Sequence, residues 1–91
     1  MVSIAVEYLG AAPEEVEEGV CVRIEEQIDG VDGIDRIRST ANEGSCMVVA
    51  EVLAGADVDQ VFTDIKNRVD AITTFPAETE KPIVARVTIR R

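Results

Sequence analysis

The sequence predicts an α+β fold of the ferredoxin-like class, a βαββαβ sandwich in which two helices cover one face of a four-stranded antiparallel sheet. Two stretches alternate apolar and polar residues as half-buried strands do, and two more have the polar and the apolar character of an edge strand and a central strand. Another two repeat apolar residues every three to four positions as amphipathic helices do. A Gly-Ala pair at residues 10–11 also recurs at residues 55–56, each time between a strand and a helix. Two such units joined by a hairpin can assemble in few ways, because crossover connections are right-handed.

The first unit begins with a strand over residues 2–9 and continues with a helix over residues 13–28. Pro13 suits the first helical position, because an N–H there would have no partner within the helix. Ala12 stands at the N-cap, where Ser or Asp would add about 1 kcal/mol of stability. The apolar residues of this helix recur every four positions and form a stripe that we expect to be buried: Val16, Val20, Ile24 and Ile28.

The next two strands differ in polarity. Residues 34–41 form a mostly polar strand, which suits the edge of a sheet because charged side chains discourage pairing with another chain. After a hairpin loop at residues 42–45, residues 46–53 are apolar on both faces except at Glu51, as is typical of a central strand. The sheet order 4-1-3-2 satisfies both features, since it places the polar second strand at an edge and the apolar third strand inside.

The second unit ends with a helix over residues 58–72 and a strand over residues 83–89. Asp57 is a good N-cap for this helix, since its carboxylate can accept the free N–H groups of the first turn. The helix is amphipathic, so that one arc should face the sheet and the opposite arc should face water. The residues of the apolar arc are Val58, Val61, Phe62, Ile65, Val69 and Ile72.

Composition and charge exclude several classes of function. Nine basic residues against eighteen acidic ones give a net charge of −9, which would repel nucleic acid. With no histidine and two cysteines, the chain lacks the ligands of a four-coordinate zinc site and the imidazole that Cys–His and Ser–His–Asp catalysis require. The remaining side chains suggest no catalytic constellation. We therefore expect a protein that is not an enzyme and that carries no metal or other cofactor.

The two cysteines, Cys21 and Cys46, leave two interpretations open. They can form a disulfide bond, or each can serve as a small buried hydrophobic residue. Cys46 lies on the apolar side of a strand and Cys21 lies beside the apolar stripe of a helix. The sequence therefore favours the second interpretation.

Apolar residues also remain on the sheet face that points away from the helices. In a free domain they would form an exposed patch, and such patches usually mark a contact surface. This pattern favours an interaction module over an enzyme. The residues of the predicted patch are Ala5, Leu9, Met47, Val49 and Leu53.

Five motifs carry a resemblance to a known family. They are Y-L-G-A-A-P-E-E-V-E-E at residues 8–18, I-D-G-V-D-G-I at 28–34, R-S-T-A-N-E-G-S at 38–45, G-A-D-V-D at 55–59 and D-I-K-N-R-V at 64–69. With these motifs in this order and spacing, the chain resembles the first periplasmic porter subdomain of the resistance–nodulation–division (RND) multidrug efflux transporters of the acriflavin-resistance type. The similarity spans residue 2 to about residue 82.

The resemblance implies that residues 1–91 form a single ferredoxin-like subdomain, a fragment of a larger bacterial inner-membrane protein that is soluble when excised. The parent would be a proton-driven antiporter that works as a trimer and expels amphiphilic small molecules. Its partners would be the other porter subdomains of the same chain, a periplasmic adaptor and an outer-membrane channel, with no nucleic acid.

The resemblance also implies roles for particular residues. In the family the last strand contributes to substrate pockets, which makes Arg86 and Thr88 candidates for the substrate path. The second helix of the subdomain lines the central pore at the trimer axis. The pore-lining positions that carry over to this sequence are Asp59, Thr63, Asn67 and Asp70.

A different class of function remains as the alternative. The same fold could be a free-standing regulatory domain that binds a small ligand at a dimer interface, whereas the composition argues against a small hydrolase. An apolar helix encoded immediately before Val2 would favour the transporter, and an independent start at Met1 with a stop after Arg91 would favour the regulatory domain.

Overall fold

The four strands form the antiparallel sheet that the sequence predicts. A computed structural model describes residues 1–73 and 75–87 of the chain. The strand order is β2-β3-β1-β4, which is the predicted order 4-1-3-2 read from the other edge. The polar second strand therefore lies at an edge and the apolar third strand lies inside. The strands are β1 Val2–Glu7, β2 Ile34–Asn42, β3 Ser45–Val52 and β4 Ile83–Arg86.

The first helix is continuous from residue 13 to residue 28, but its middle turn is π-helical. Its segments are α1 Pro13–Val16, a π turn Glu17–Cys21 and α2 Val22–Ile28. An apolar stripe that repeats every four residues drifts around a helix of 3.6 residues per turn, and the wider π turn corrects this drift. The predicted stripe is confirmed, with Cys21 added, and its members are fully buried: Val16, Val20, Cys21, Ile24 and Ile28.

The two helices begin with caps of different quality. Asp57 is the N-cap of the second helix, α3 Val58–Asp70, as predicted, since its Oδ1 accepts two backbone N–H groups of the first turn at 3.0 and 3.3 Å. Ala12 offers no side-chain acceptor to the first helix. Only the reverse bond is present there, from the N–H of Ala12 to Glu15 Oε1 at 3.2 Å.

The core lies between the inner face of the sheet and the two helices. Arg68 Nη1 of α3 donates to the carbonyl of Gln27 at 3.3 Å, which joins the second helix to the end of the first.

Val58 of α3 was predicted to be in the buried arc, but it is 39% exposed at the first position of the helix. The helix also ends at Asp70, two residues before the predicted end. The buried residues of α3 are Val61, Ile65 and Val69, and those of the sheet are Val2, Ile4, Val6, Cys46, Val48 and Ala50.

A β-bulge in β2 places Ile34 on a different face of the sheet from the one that simple alternation along the strand indicates. The alternation in the sequence places Ile34 on the same face as Arg36. In the structure the register is interrupted between these two residues, because Ile34 pairs with Val52 and Arg36 pairs with Glu51. The extra residue turns Ile34 towards the helices, where it packs against the core.

A disulfide bond joins the two cysteines, so the interpretation as two separate hydrophobic residues was wrong. The Cα atoms of Cys21 and Cys46 lie 5.9 Å apart, a usual separation for bonded cysteines, and both side chains are buried. Cys21 belongs to the π turn of the first helix and Cys46 belongs to β3. The bond therefore ties the helical layer to a central strand.

The last strand was predicted over residues 83–89, and its described part is β4, which pairs antiparallel with β1. The backbone N–H of Val87 donates to the carbonyl of Met1 at 2.9 Å, so the segments that flank β4 and β1 remain paired just beyond these strands. Before β4, the N–H of Glu80 donates to the carbonyl of Glu7 at 2.8 Å. Residues 88 and 89 lie outside the described residues.

Candidate functional site on the second helix

The predicted pore-lining positions share one side of α3. They are spaced by four, four and three residues, which places them along the side of the helix opposite to its buried stripe. All of them are exposed to solvent. The face that they form, called the pore face below, consists of Asp59, Thr63, Asn67 and Asp70.

Local interactions organise the two ends of the pore face. Thr63 Oγ1 donates to the backbone carbonyl of Asp59 at 3.0 Å, and Lys66 Nζ lies 3.0 Å from Asp70 Oδ2. Asp59 in the first turn interacts favourably with the helix dipole, whereas Asp70 in the last turn does not. Lys66 therefore compensates the less favourable of the two carboxylates, although an exposed pair of this kind contributes at most about 1 kcal/mol.

Arg86, a candidate for the substrate path, lies against the same helix. It pairs across the sheet with Val2, a buried residue, so its side chain leaves the sheet on the helix-covered side. Its Nη1 forms an ion pair with Asp59 Oδ1. Its guanidinium carbon lies 5.7 Å from the centre of the Phe62 ring, within the range of a cation–π interaction. The structure thus brings one candidate of each group together, while Thr88 lies outside the described residues.

The outer face of the sheet carries the predicted apolar patch in a changed form. Ala5 pairs with Met47 on one side and with Ile83 on the other. Ile83 is 68% exposed, and the sequence prediction of the patch did not include it. The predicted strand order could have revealed it, since that order sets β4 beside β1. Leu9 and Leu53 are also exposed, but they lie beyond the ends of the strands.

The described part of the chain holds no group of three or more Asp, Glu, Cys or His side chains that could bind a metal ion. Both cysteines are used by the disulfide bond. Across residues 1–73 and 75–87, the helices are too short or too polar to cross a membrane.

Comparison with known proteins finds related sequences along nearly the whole chain. The sequence model of the AcrB/AcrD/AcrF family matches residues 1–89. Two curated relatives from Pseudomonas putida are the toluene efflux pump membrane transporter TtgB, 29% identical, and the solvent-resistant pump membrane transporter SrpB, 30% identical. Each match extends over 82 residues, which is 88% of this chain and 8% of the relative. The chain therefore spans only a small part of the length of these relatives.

A solved structure shares the fold. The X-ray crystal structure of a heavy metal efflux pump matches with a TM-score of 0.86 and covers 96% of this chain and 9% of that chain, at 23% sequence identity. A likeness at this identity shows the fold alone. It confirms the predicted ferredoxin-like sandwich.

Proposed function

The chain belongs to the AcrB/AcrD/AcrF family of resistance–nodulation–division transporters, and on this basis we propose that it is the first periplasmic porter subdomain of a proton-driven multidrug efflux pump. In this proposal the pump is an inner-membrane trimer that works with a periplasmic adaptor and an outer-membrane channel and expels amphiphilic small molecules. The subdomain contributes surfaces to the pump and catalyses no reaction. A free-standing regulatory domain is not favoured, because the family match runs over residues 1–89.

The observation that carries this proposal is the two-sided character of α3. One side of the helix is fixed in the core by three buried aliphatic residues, whereas the pore face is polar and exposed to solvent. A helix that lines an aqueous pore needs both properties, because its apolar side must hold it rigidly while its other side stays hydrated. Three copies of the pore face around a threefold axis would form a polar channel wall.

The buried disulfide bond supports a periplasmic place for the subdomain. Disulfide bonds persist in oxidising compartments such as the bacterial periplasm and are rare in the cytosol. The bond between Cys21 and Cys46 lies within the core and connects two layers of the fold. A subdomain that relies on this bond should reach its full stability only after export.

The outer face of the sheet supports a place within a larger protein. Here β1, β3 and β4 present adjacent apolar side chains, among them Ala5, Met47 and Ile83. Exposed apolar groups of this kind commonly mark a contact surface. We assign this face to contacts with the other porter subdomains of the same chain, which leaves α3, on the opposite side of the sheet, for the pore.

Chemical cross-linking at the pore face tests the proposal. In the full-length transporter with any other free cysteines replaced, Asn67→Cys supplies one free thiol per subunit, because Cys21 and Cys46 are already paired. If three copies of α3 surround the trimer axis, a short trifunctional maleimide should join all three subunits. The product should then migrate as a covalent trimer on a denaturing gel.

Glu18→Cys provides the matched control. Glu18 is also exposed, but it lies in the first helix and not on the pore face. This variant should react with a monofunctional maleimide and yet give no covalent trimer. An intact trimer that is not cross-linked through Asn67→Cys, or that is cross-linked equally through both positions, would rule out the pore role of α3.

A further inference from the structure

We propose that Arg86 is a positioning residue of the pore face, which holds the carboxylate of Asp59 against the subdomain's own last strand and neutralises its charge. Three copies of Asp59 can then face a common axis without mutual repulsion. The inference rests on the proposed function. It gives Arg86 a role at the trimer axis in place of the role in the substrate path that the family resemblance suggests.

The contact joins two rigid elements that are distant in the sequence. Arg86 is the last residue of β4, and its backbone is held by pairing with β1 at Val2, one of the core residues. Asp59 lies in the first turn of α3, two residues after the N-cap Asp57. Because both backbones are anchored in regular structure and the guanidinium also contacts the ring of Phe62, the two charged groups stay within reach of each other.

The aromatic ring of Phe62 makes the site specific for arginine. Phe62 lies nearly one turn after Asp59 and is partly buried, and the guanidinium of Arg86 lies over its ring while contacting the carboxylate. A planar guanidinium can stack on an aromatic ring and bind a carboxylate at the same time, whereas the ammonium of lysine is a strongly hydrated point charge. The geometry thus favours arginine over any other cation at this position.

The charges of the pore face show what the contact achieves. The chain carries a net charge of −9, and the pore face contains two carboxylates. Each is paired with a cation of the same chain, since Lys66 binds Asp70 and Arg86 binds Asp59. In a threefold assembly the same residue of each subunit approaches the axis, and unpaired like charges there would oppose association.

The test uses the full-length transporter, purified as a trimer, with the variants Arg86→Gln, Asp59→Asn and the two combined. The trimer dissociation constant is measured by dilution in low and in high salt. Arg86→Gln should raise it about tenfold in low salt, because three unpaired carboxylates then face one another. The effect should shrink in about 1 M salt, where charges are screened within about 3 Å. The double variant should return close to the wild-type value, because the repelling charge is gone.

Arg23→Gln is the matched control. It removes one positive charge from an exposed position of the first helix, outside both the pore face and the outer sheet face, and should leave the trimer unchanged. Suppression of the Arg86→Gln defect by Asp59→Asn distinguishes charge compensation from a general loss of structure. The inference is overturned if Arg86→Gln leaves the trimer intact, if Asp59→Asn does not suppress the defect, or if Arg23→Gln weakens the trimer equally.

The outcomes also separate this inference from the proposed function. If Asn67→Cys is cross-linked into covalent trimers and Arg86→Gln has no effect, the pore role of α3 stands and the role of Arg86 falls. If Asn67→Cys is not cross-linked within an intact trimer, the pore role fails, and the inference that depends on it fails as well.

Discussion

Cys21 and Cys46 show how a single covalent bond can stabilise a domain of this size. The bond links residues separated by 25 positions and connects the π turn of the first helix to β3. A cross-link restricts the unfolded chain, and a loop of about this length contributes about 3 kcal/mol to stability in the chain-entropy account. For a chain of 91 residues, this is a large share of the 5–15 kcal/mol that is typical of folded domains, roughly a fifth to three fifths.

Replacing both cysteines in Cys21→Ala/Cys46→Ala should therefore lower the free energy of unfolding by about 3 kcal/mol or more, since the smaller side chains also leave space in the core. Urea unfolding followed by circular dichroism measures the change. Dithiothreitol provides the control, because it should destabilise the wild-type chain and leave the variant unaffected. Identical unfolding midpoints for the oxidised wild type and the variant would show that the bond does not contribute.

The sequence could not reveal this bond, for a physical reason. Each cysteine sits where a small apolar residue would also fit, and the pairing depends on how closely the first helix approaches β3. That approach depends in turn on the π turn, which sets the direction of Cys21. The contact of Arg86 with Asp59 escaped prediction in the same way, because β4 and α3 meet only in the folded molecule.

At the scale of elements, the two helices differ most at their N-terminal caps. The carboxylate of Asp57 accepts two N–H groups at the start of α3, whereas Ala12 at the start of the first helix accepts none with its side chain. The backbone of Ala12 already has the extended conformation that is typical of an N-cap. A hydroxyl added there should find its partner without rearrangement.

Opposite changes at the two caps should therefore shift stability in opposite directions. Asp57→Ala should lower the free energy of unfolding by about 1 kcal/mol, and Ala12→Ser should raise it by about 0.5–1 kcal/mol. Chemical denaturation of both variants beside the wild type measures the two effects, and each variant serves as the control for the other. A destabilising Ala12→Ser would mean that the hydroxyl does not reach the free N–H groups of the first turn.

Most elements could be predicted because their periodicity was long and regular. The stripe of the first helix, the buried stripe of α3 after Val58 and the alternation of β3 match the structure. A further error lies where one extra residue shifts the alternation of a strand. In β2 the bulge beside Ile34 moves that side chain to the other face, and a short run of alternating residues holds no signal that would distinguish a bulge from continuous alternation.

The turn before β2 requires a glycine for two reasons. Gly33 in this turn adopts a φ of +95°, which favours glycine. The structure adds a second reason that the sequence could not show. A Cβ at this position would lie 2.7 Å from Cγ2 of Val61, so glycine also allows α3 to pack closely against the turn.

At the scale of the whole molecule, the sheet separates two surfaces of opposite character. The helix-covered side ends in the polar pore face of α3, and the other side presents the apolar outer face of the sheet. The candidate pore positions followed from the helical spacing together with the family resemblance. What the sequence could not provide was the pairing of charges on that face, because it involves the last strand.

The distance between copies of α3 in the assembled trimer tests the central claim most directly. Spin labels attached to Asn67→Cys in the full-length transporter report this distance by pulsed electron paramagnetic resonance. Three helices whose pore faces surround one axis lie closer together than the longest dimension of the subdomain, so the labels should give one distance well below 39 Å. A distance greater than 39 Å would place α3 away from the axis and contradict the account.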